Sequence, residues 1–374
     1  MAGIYIHIPF CKSRCIYCGF YSTTLLDLRK KYINAVCREM ELRKNYIREP
    51  FSTIYLGGGT PSLLDEAELT KLFLYINNVY DVDRNAEITM ECNPDDITPK
   101  FTNMLSRLPI NRISMGAQTF ADSRLRLLHR RHNSNEVKHA VKLLREAGIK
   151  NISIDLMFGF PDESLSQWKE DISAALAINV EHISAYSLMY EEDTPLWKML
   201  DTGKVKEIDE ELSLTMFKEL VCQLTDAGYE HYEISNFARP GYRSRHNSSY
   251  WHQVPYIGLG AAAHSFDLNS RQWNVADLKL YIEEINNGII PMEREELDND
   301  TTFNDIITTA LRTSDGIDLN ALETRLGKRY RNTLISAACK HIEQGLLDIR
   351  HDRLRLTAEG IFISDMVMSD LMIV

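Results

Sequence analysis

The sequence predicts an α/β protein: an incomplete (β/α)6-type barrel followed by a mainly helical, winged-helix-like domain. Three observations carry this. Short β-rich runs at residues 4–8, 53–56, 86–91, 112–115, 151–156 and 182–188 alternate with helical periodicity at 28–46, 66–79, 98–107, 136–147 and 165–177. Strands separated in this way by helices form parallel βα units, and six of them resemble part of a barrel whose sites gather at the C-terminal strand ends. Past Leu188 the alternation fades, and helical runs at 303–311, 319–326 and 331–344 precede two short paired runs at 346–349 and 354–356. An open doubly wound sheet is the alternative that periodicity leaves standing.

Local signals support the elements in turn. Ser134 and Asn135 read as N-cap residues, and Gly148 follows its helix as a C-terminal cap should. Residues 209–227 read as a helix closed by Gly228, and 229–237 as a strand. Residues 239–256 read as an aromatic, polar loop, and the acidic run MEREELDNDTT at 292–302 as a linker. The resulting division is a barrel domain at 1–237, a connecting region at 238–291 and a C-terminal domain at 292–374.

Composition narrows the function classes. With 44% hydrophobic and 25% charged residues among 374, the chain is neither disordered nor collagenous. A formal charge of −11 opposes non-specific attraction to phosphate, so the winged-helix-like end is not expected to bind nucleic acid. No run of 18 apolar residues occurs, and the N-terminal MAGIYIHIPF lacks a basic region before an apolar one, so a cytoplasmic protein is expected.

Cysteine placement is more specific. Cys11, Cys15 and Cys18 lie within eight residues, whereas Cys37, Cys92, Cys222 and Cys339 are scattered and read as ordinary thiols. An odd, clustered set argues for metal or redox chemistry over a disulfide framework. Three thiolates suit a [4Fe–4S] cluster, each holding one iron and leaving the fourth open. A zinc site completed by a distant residue and simple burial are the competing readings.

The CxxxCxxC spacing, with Tyr17 before the last cysteine, resembles the signature of the radical S-adenosylmethionine (SAM) superfamily. The flanking YIHIPFC is similar to the oxygen-independent coproporphyrinogen III oxidase family and, within it, to the heme chaperones. Later motifs follow in that family's order: Leu56-Gly57-Gly58-Gly59-Thr60-Pro61, Glu91 at a strand end, Gln118, Arg130 and Asp155. The resemblance implies a radical SAM barrel, with Tyr5, Tyr17, Gly58, Gly59, Thr60, Glu91, Gln118, Arg130 and Asp155 around SAM. It also implies Cys11, Cys15 and Cys18 as cluster ligands. The chemistry agrees: glycines let a ligand approach the backbone, an arginine fork pairs with a carboxylate, and amide and carboxylate groups bond hydroxyls. Arg124, Arg126, Arg131 and His132 are expected to form a solvated basic face. Met115, Met157, Phe158 and Phe160 are expected mostly to pack the core, and His7 to be packed or hydrogen-bonded.

Two features separate chaperone from oxidase within the family. The resembled oxidases carry a fourth cysteine where this chain has Phe20, and a longer segment before the cysteines, so decarboxylation of coproporphyrinogen III is the alternative function. The HNxxYW run, His246, Asn247, Tyr250 and Trp251, is similar to the heme-binding signature of the chaperones; imidazole ligates heme iron and aromatic rings stack on the macrocycle. His264, at a glycine-rich strand end, ranks below His246 as a ligand. The resemblance thus implies heme, a [4Fe–4S] cluster and SAM as cofactors, with a heme-acceptor protein and an electron donor as partners. Peripheral contact with a membrane-bound acceptor and a dimer are further expectations.

Overall fold

The computed structural model describes residues 1–373. Six strands, β1 (Ala2–Ile8), β2 (Phe51–Gly58), β3 (Val82–Cys92), β4 (Arg112–Gln118), β5 (Asn151–Phe158) and β6 (His182–Ser187), pair in parallel in chain order. This is the incomplete barrel read from the sequence. The sheet is larger than the six, however. A hairpin, β7 (Glu230–Glu233) and β8 (Asn236–Ala238), extends it beyond β6. Beyond β1 it continues through β9 (Tyr256–Leu259), β10 (His264–Phe266), β11 (Ser270–Asn274) and β12 (Met292–Glu296). The expected single strand at 229–237 is therefore a hairpin.

Strand alternation divides the chain's chemistry between two faces. On β1, Ile4, Ile6 and Ile8 are fully buried against the helices, as are Ile54 and Leu56 on β2. Their neighbours Tyr5, His7, Thr53, Tyr55, Glu87, Glu91, Arg112, Asp155 and His182 face the concave side. The helices answer with apolar stripes: Arg29–Leu42 buries Tyr32, Ile33, Val36 and Met40, and Glu66–Val79 buries Leu69, Leu72, Phe73 and Ile76. Capping boxes start three helices, at Asp65 with Glu68, Asn133 with Glu136, and Ser164 with Gln167; such caps contribute about 1 kcal/mol each. The cap at 133 corrects the expectation of Ser134 or Asn135, which occupy the first turn instead.

A buried polar joint fastens the β9–β12 extension to the barrel. Arg43 donates to the Gly258 carbonyl at 2.7 Å and to Ser265 Oγ at 2.9 Å, and its partner Glu39 accepts from Tyr281 and Asn274. Removing one member would strand the others without water, a penalty of about 3–5 kcal/mol for a buried ion pair.

The run at 292–302 is not a linker. Its first half is β12, which pairs with β11, and the rest enters the helix Asn299–Ala310, capped by Asp298. All five β12 residues are exposed, so the strand lacks an apolar face to reveal it, and its charges protect a sheet edge. The C-terminal part builds a separate core around Phe303, Leu322, Leu334 and Leu354, with a small sheet of β13 (Ile317–Asp318), β14 (Leu347–Arg350) and β15 (Arg353–Leu356). Two more helices, Ala358–Ile361 and Ser364–Leu371, close it. No helix among the described residues is long and apolar enough to cross a membrane.

Candidate cluster and cofactor site at the barrel mouth

The loop after β1 carries Cys11, Cys15 and Cys18, all half-buried free thiols. Its backbone is tied down: Cys11 N–H donates to Thr23 O at 2.9 Å, and Ile16 N–H to Leu128 O at 3.3 Å. Ile16 sits in a small apolar cluster with Leu128, Met157, Phe160, Leu188 and Leu196, so Met157 and Phe160 pack as expected. Thr60 Oγ1 and Arg130 Nη1 each lie 3.5 Å from a sulfur, of Cys11 and Cys15 respectively. Burial pushes the Cys11 and Cys18 thiols up. Among the described residues no three donors converge on a single ion. Cluster thiolates each bind their own iron, so they need not converge in that way.

The second wall is the end of β2. A Cβ on Gly59 would sit 2.7 Å from the Ile8 carbonyl oxygen, and Gly58 has φ +104°, so neither position admits a side chain without displacing backbone or strain. Gly58 N–H donates to Glu91 Oε2 at 3.0 Å, and Tyr55 O–H donates to Glu91 Oε1 at 2.8 Å. Withdrawal from water, reinforced by Asp155, pushes the Glu91 carboxyl up to about 7 despite those donors. Burial likewise raises Asp155 to about 6, with Ser114 Oγ 3.4 Å away.

Arg130 reaches the same mouth from after the short helix Asp122–Leu127. Its Nη2 donates to Asn93 Oδ1 at 2.7 Å and to the Gly116 carbonyl at 2.6 Å, while Nε is buried without a partner. Gln118 has φ +68° at a register shift in β4, and a Cβ on Gly116 would meet its amide at 2.7 Å. That shift turns the Gln118 side chain back over the end of the strand. Tyr5 stacks near Tyr55 and bonds His7 Nδ1 at 3.0 Å, and His7 Nε2 bonds Tyr21 O at 2.9 Å. His7 is thus a fully bonded histidine, as expected. Tyr5, Tyr17, Gly58, Gly59, Thr60, Glu91, Gln118, Arg130, Asp155 and the three cysteines therefore share one end of the sheet. The orphan Arg130 Nε, the side-chain-free Gly58–Gly59 cradle and the three thiols fit a cluster and a ligand bearing a carboxylate, an amine and hydroxyls.

The expected basic face is only partly solvated. Arg124 is buried, paired with Glu163 at 2.8 Å and Asp171 at 3.1 Å, and His132 is buried with Nε2 3.1 Å from Ala117 O. Arg131 pairs with Asp95 and Asp96, and Arg126 is exposed and, among the described residues, forms no ion pair.

The HNxxYW residues lie at the opposite end. Residues 245–251 form a helix, not a loop, and Glu87 on β3 accepts from the first two amides, Arg245 N–H at 3.1 Å and His246 N–H at 3.0 Å. The His246 ring is 1% exposed, with Nδ1 2.8 Å from Thr53 Oγ1, Nε2 2.8 Å from Tyr250 O–H and one face on Tyr55. Burial holds its pKa down to about 3. Asn247, Tyr250 and Trp251 are half-buried around it. In this arrangement both ring nitrogens of His246 are engaged within the fold. A polar residue inside a tightly packed floor gains by being fully bonded, and this ring is.

Comparison with known proteins agrees with this architecture. The Radical SAM superfamily pattern matches residues 5–175, and the HemN C-terminal domain pattern residues 297–363. The heme chaperone HemW of Bacillus subtilis is 33% identical over 364 residues, 96% of each chain. The chain belongs to the HemW family of radical SAM proteins. HemW of Synechocystis is 38% identical over 70% of this chain and 65% of its own, and that of Escherichia coli 35% over 70% and 69%. In structure, the chain is similar to coproporphyrinogen III oxidase (HemN) of Escherichia coli, with a TM-score of 0.85 over 99% of this chain and 89% of that one, at 21% identity. That likeness shows the fold.

Sequence motifs missed Tyr55, Asn93, Ser114 and Arg112. The signal was present as period-two alternation: Thr53-Tyr55, Glu87-Thr89-Glu91, Arg112-Ser114 and Ser153-Asp155 place polar groups on every second position of otherwise apolar strands. An interior so polar marks a ligand-lined face.

Proposed function

We propose that this chain is a heme chaperone that binds heme, a [4Fe–4S] cluster and SAM, and passes heme to an acceptor protein. The observation that carries the reading is the correspondence with the Bacillus subtilis heme chaperone over 96% of both chains. The mouth supports it. Cys11, Cys15 and Cys18 would hold the cluster, and Gly58, Gly59 and Thr60 the amino end of SAM. Arg130 would pair with the SAM carboxylate, Glu91 would accept from the amine, and Gln118 and Asp155 would bond the ribose. Tyr5 and Tyr17 would wall the site from water. A bound cluster with SAM supplies one-electron chemistry. The chain's own part is to orient the ligand: Tyr55 and Gly58 fix both Glu91 oxygens, while Asn93 and Gly116 fix the Arg130 fork.

Phe20, 71% exposed beside the third cysteine, stands where the resembled oxidases have a further thiol, and is the reason the decarboxylase reading is set second. The test is anaerobic: load the reconstituted protein with heme, add an apo-heme protein and follow transfer by the change in the heme spectrum. Transfer supports the chaperone. Turnover of coproporphyrinogen III with SAM and a reductant overturns it. An electron donor, a cytoplasmic site of action, a dimer and contact with a membrane-bound acceptor belong to the same proposal.

A further inference from the structure

The sheet extension carries a histidine unlike three that line the barrel. His7, His182 and His246 have both ring nitrogens bonded within the barrel. His264 on β10 is exposed, and among the described residues neither of its nitrogens has a hydrogen-bond partner. Its ring stacks on Trp273, opposite it on β11, with centroids 5.9 Å apart and planes 26° apart.

Alternation sets the direction of both rings. Ser265 points into the buried joint with Arg43, and Asn274 toward Glu39, so His264 and Trp273 face the other way, onto the concave side with Tyr5. Gly258 of β9 pairs with Tyr5 and lies between it and His264; a Cβ there would overlap the His264 carbonyl. The row Trp273, His264, Gly258, Tyr5 is thus two aromatic groups, a gap without a side chain, and the edge of the mouth.

The ring stands on a rigid frame. Arg43 holds the Gly258 carbonyl and Ser265, Asn274 holds the Gly260 carbonyl, and Glu39 accepts from Gly260 N–H. Arg271, itself paired with Glu295 and Asp305, lies two residues from Trp273 on the same face of β11. With no hydrogen bond to either nitrogen, the imidazole has a lone pair open to a ligand in its deprotonated form.

An exposed, unbonded imidazole backed by an indole face suits a flat aromatic macrocycle with a Lewis-acid metal at its centre. We propose that His264, supported by Trp273, is the axial ligand through which heme binds this chain. The inference rests on the heme-carrying reading above and gives that cargo a place, on the same face as the cysteine loop and away from His246.

The experiment is a titration of the full-length protein with hemin, following affinity and the Soret and visible bands. His264→Ala should bind about tenfold more weakly or worse, with altered bands. His264→Gly should regain the wild-type bands when free imidazole is added, which a merely structural role would not produce. Trp273→Ala should weaken binding while keeping histidine-type bands. Unchanged affinity and bands in His264→Ala overturn the inference, as does loss of those bands in a folded His246→Gln variant with His264 intact. Absence of hemin binding by the wild-type protein overturns the chaperone reading itself.

Discussion

The two ends of the concave face are built from similar residues and do opposite things. At the floor, the imidazoles of His182 and His246 each use both nitrogens, on Ser153 with Tyr232 and on Thr53 with Tyr250. At the mouth, Arg130 has an unpartnered Nε, Glu91 and Asp155 have raised pKa values, and three thiols form no disulfide. Saturated polar groups hold a fold together; unsaturated ones await a ligand. The difference teaches that a histidine-aromatic motif and a carboxylate-arginine set of equal sequence prominence have different roles, separated by bonding and not by residue type.

If that contrast holds, mouth substitutions act chiefly on ligand binding, and floor substitutions chiefly on stability. The largest effect is expected for Cys11→Ala, which should abolish the reconstituted cluster's absorption; an intact cluster would remove this thiol from the ligand set. Next is Gly59→Val, whose side chain would collide with the Ile8 carbonyl and Pro9. SAM binding by equilibrium dialysis should be lost, and wild-type affinity would show that the cradle plays no part. At the floor, His246→Ala leaves two hydroxyls unbonded around a cavity and should cost about 2–4 kcal/mol in denaturant unfolding. A loss below the scatter of the method would break the comparison.

The two ends should also answer acid with opposite signs. His246 is held at about 3 in the fold, against about 6.5 in the unfolded chain. Its contribution is complete above the unfolded value and is lost as pH falls from there toward 3, because the unfolded state takes up the proton first. Glu91 is raised to about 7, against about 4.3 unfolded. It destabilises above its folded value, and the penalty is relieved as pH falls toward the unfolded one. Unfolding titrations should therefore show Glu91→Gln more stable than wild type at about pH 8 and nearly equal at about pH 4. His246→Gln should flatten the acid limb. The smallest effect is Tyr250→Phe, which removes one hydroxyl from His246 and should cost about 1 kcal/mol. A loss equal to that of His246→Ala would mean that Tyr250, not the ring, closes the floor.

The sequence itself determined the six parallel strands, their helices and the cysteine loop. Each rests on a local cause: alternation in Ile4, Ile6 and Ile8, turn-spaced apolar positions such as Leu69, Leu72 and Ile76, and three thiols within eight residues. Motif order placed Gly58, Glu91, Arg130 and Asp155 at one site because Gly58 and Glu91 close strands, Arg130 follows one and Asp155 lies in the C-terminal half of another, and parallel strands bring their C-terminal ends together. Tertiary structure alone decided the rest. β12 has no buried face to betray it, because its register comes from its partner β11. Arg124 and His132 look like surface charge until Glu163, Asp171 and Ala117, distant in sequence, enclose them. His246 and His264 are both histidines near aromatic residues, and only the sheet decides between them. One is folded beneath β2 and β3 with every donor and acceptor paired, while the other is left open on an edge extension with its lone pair free.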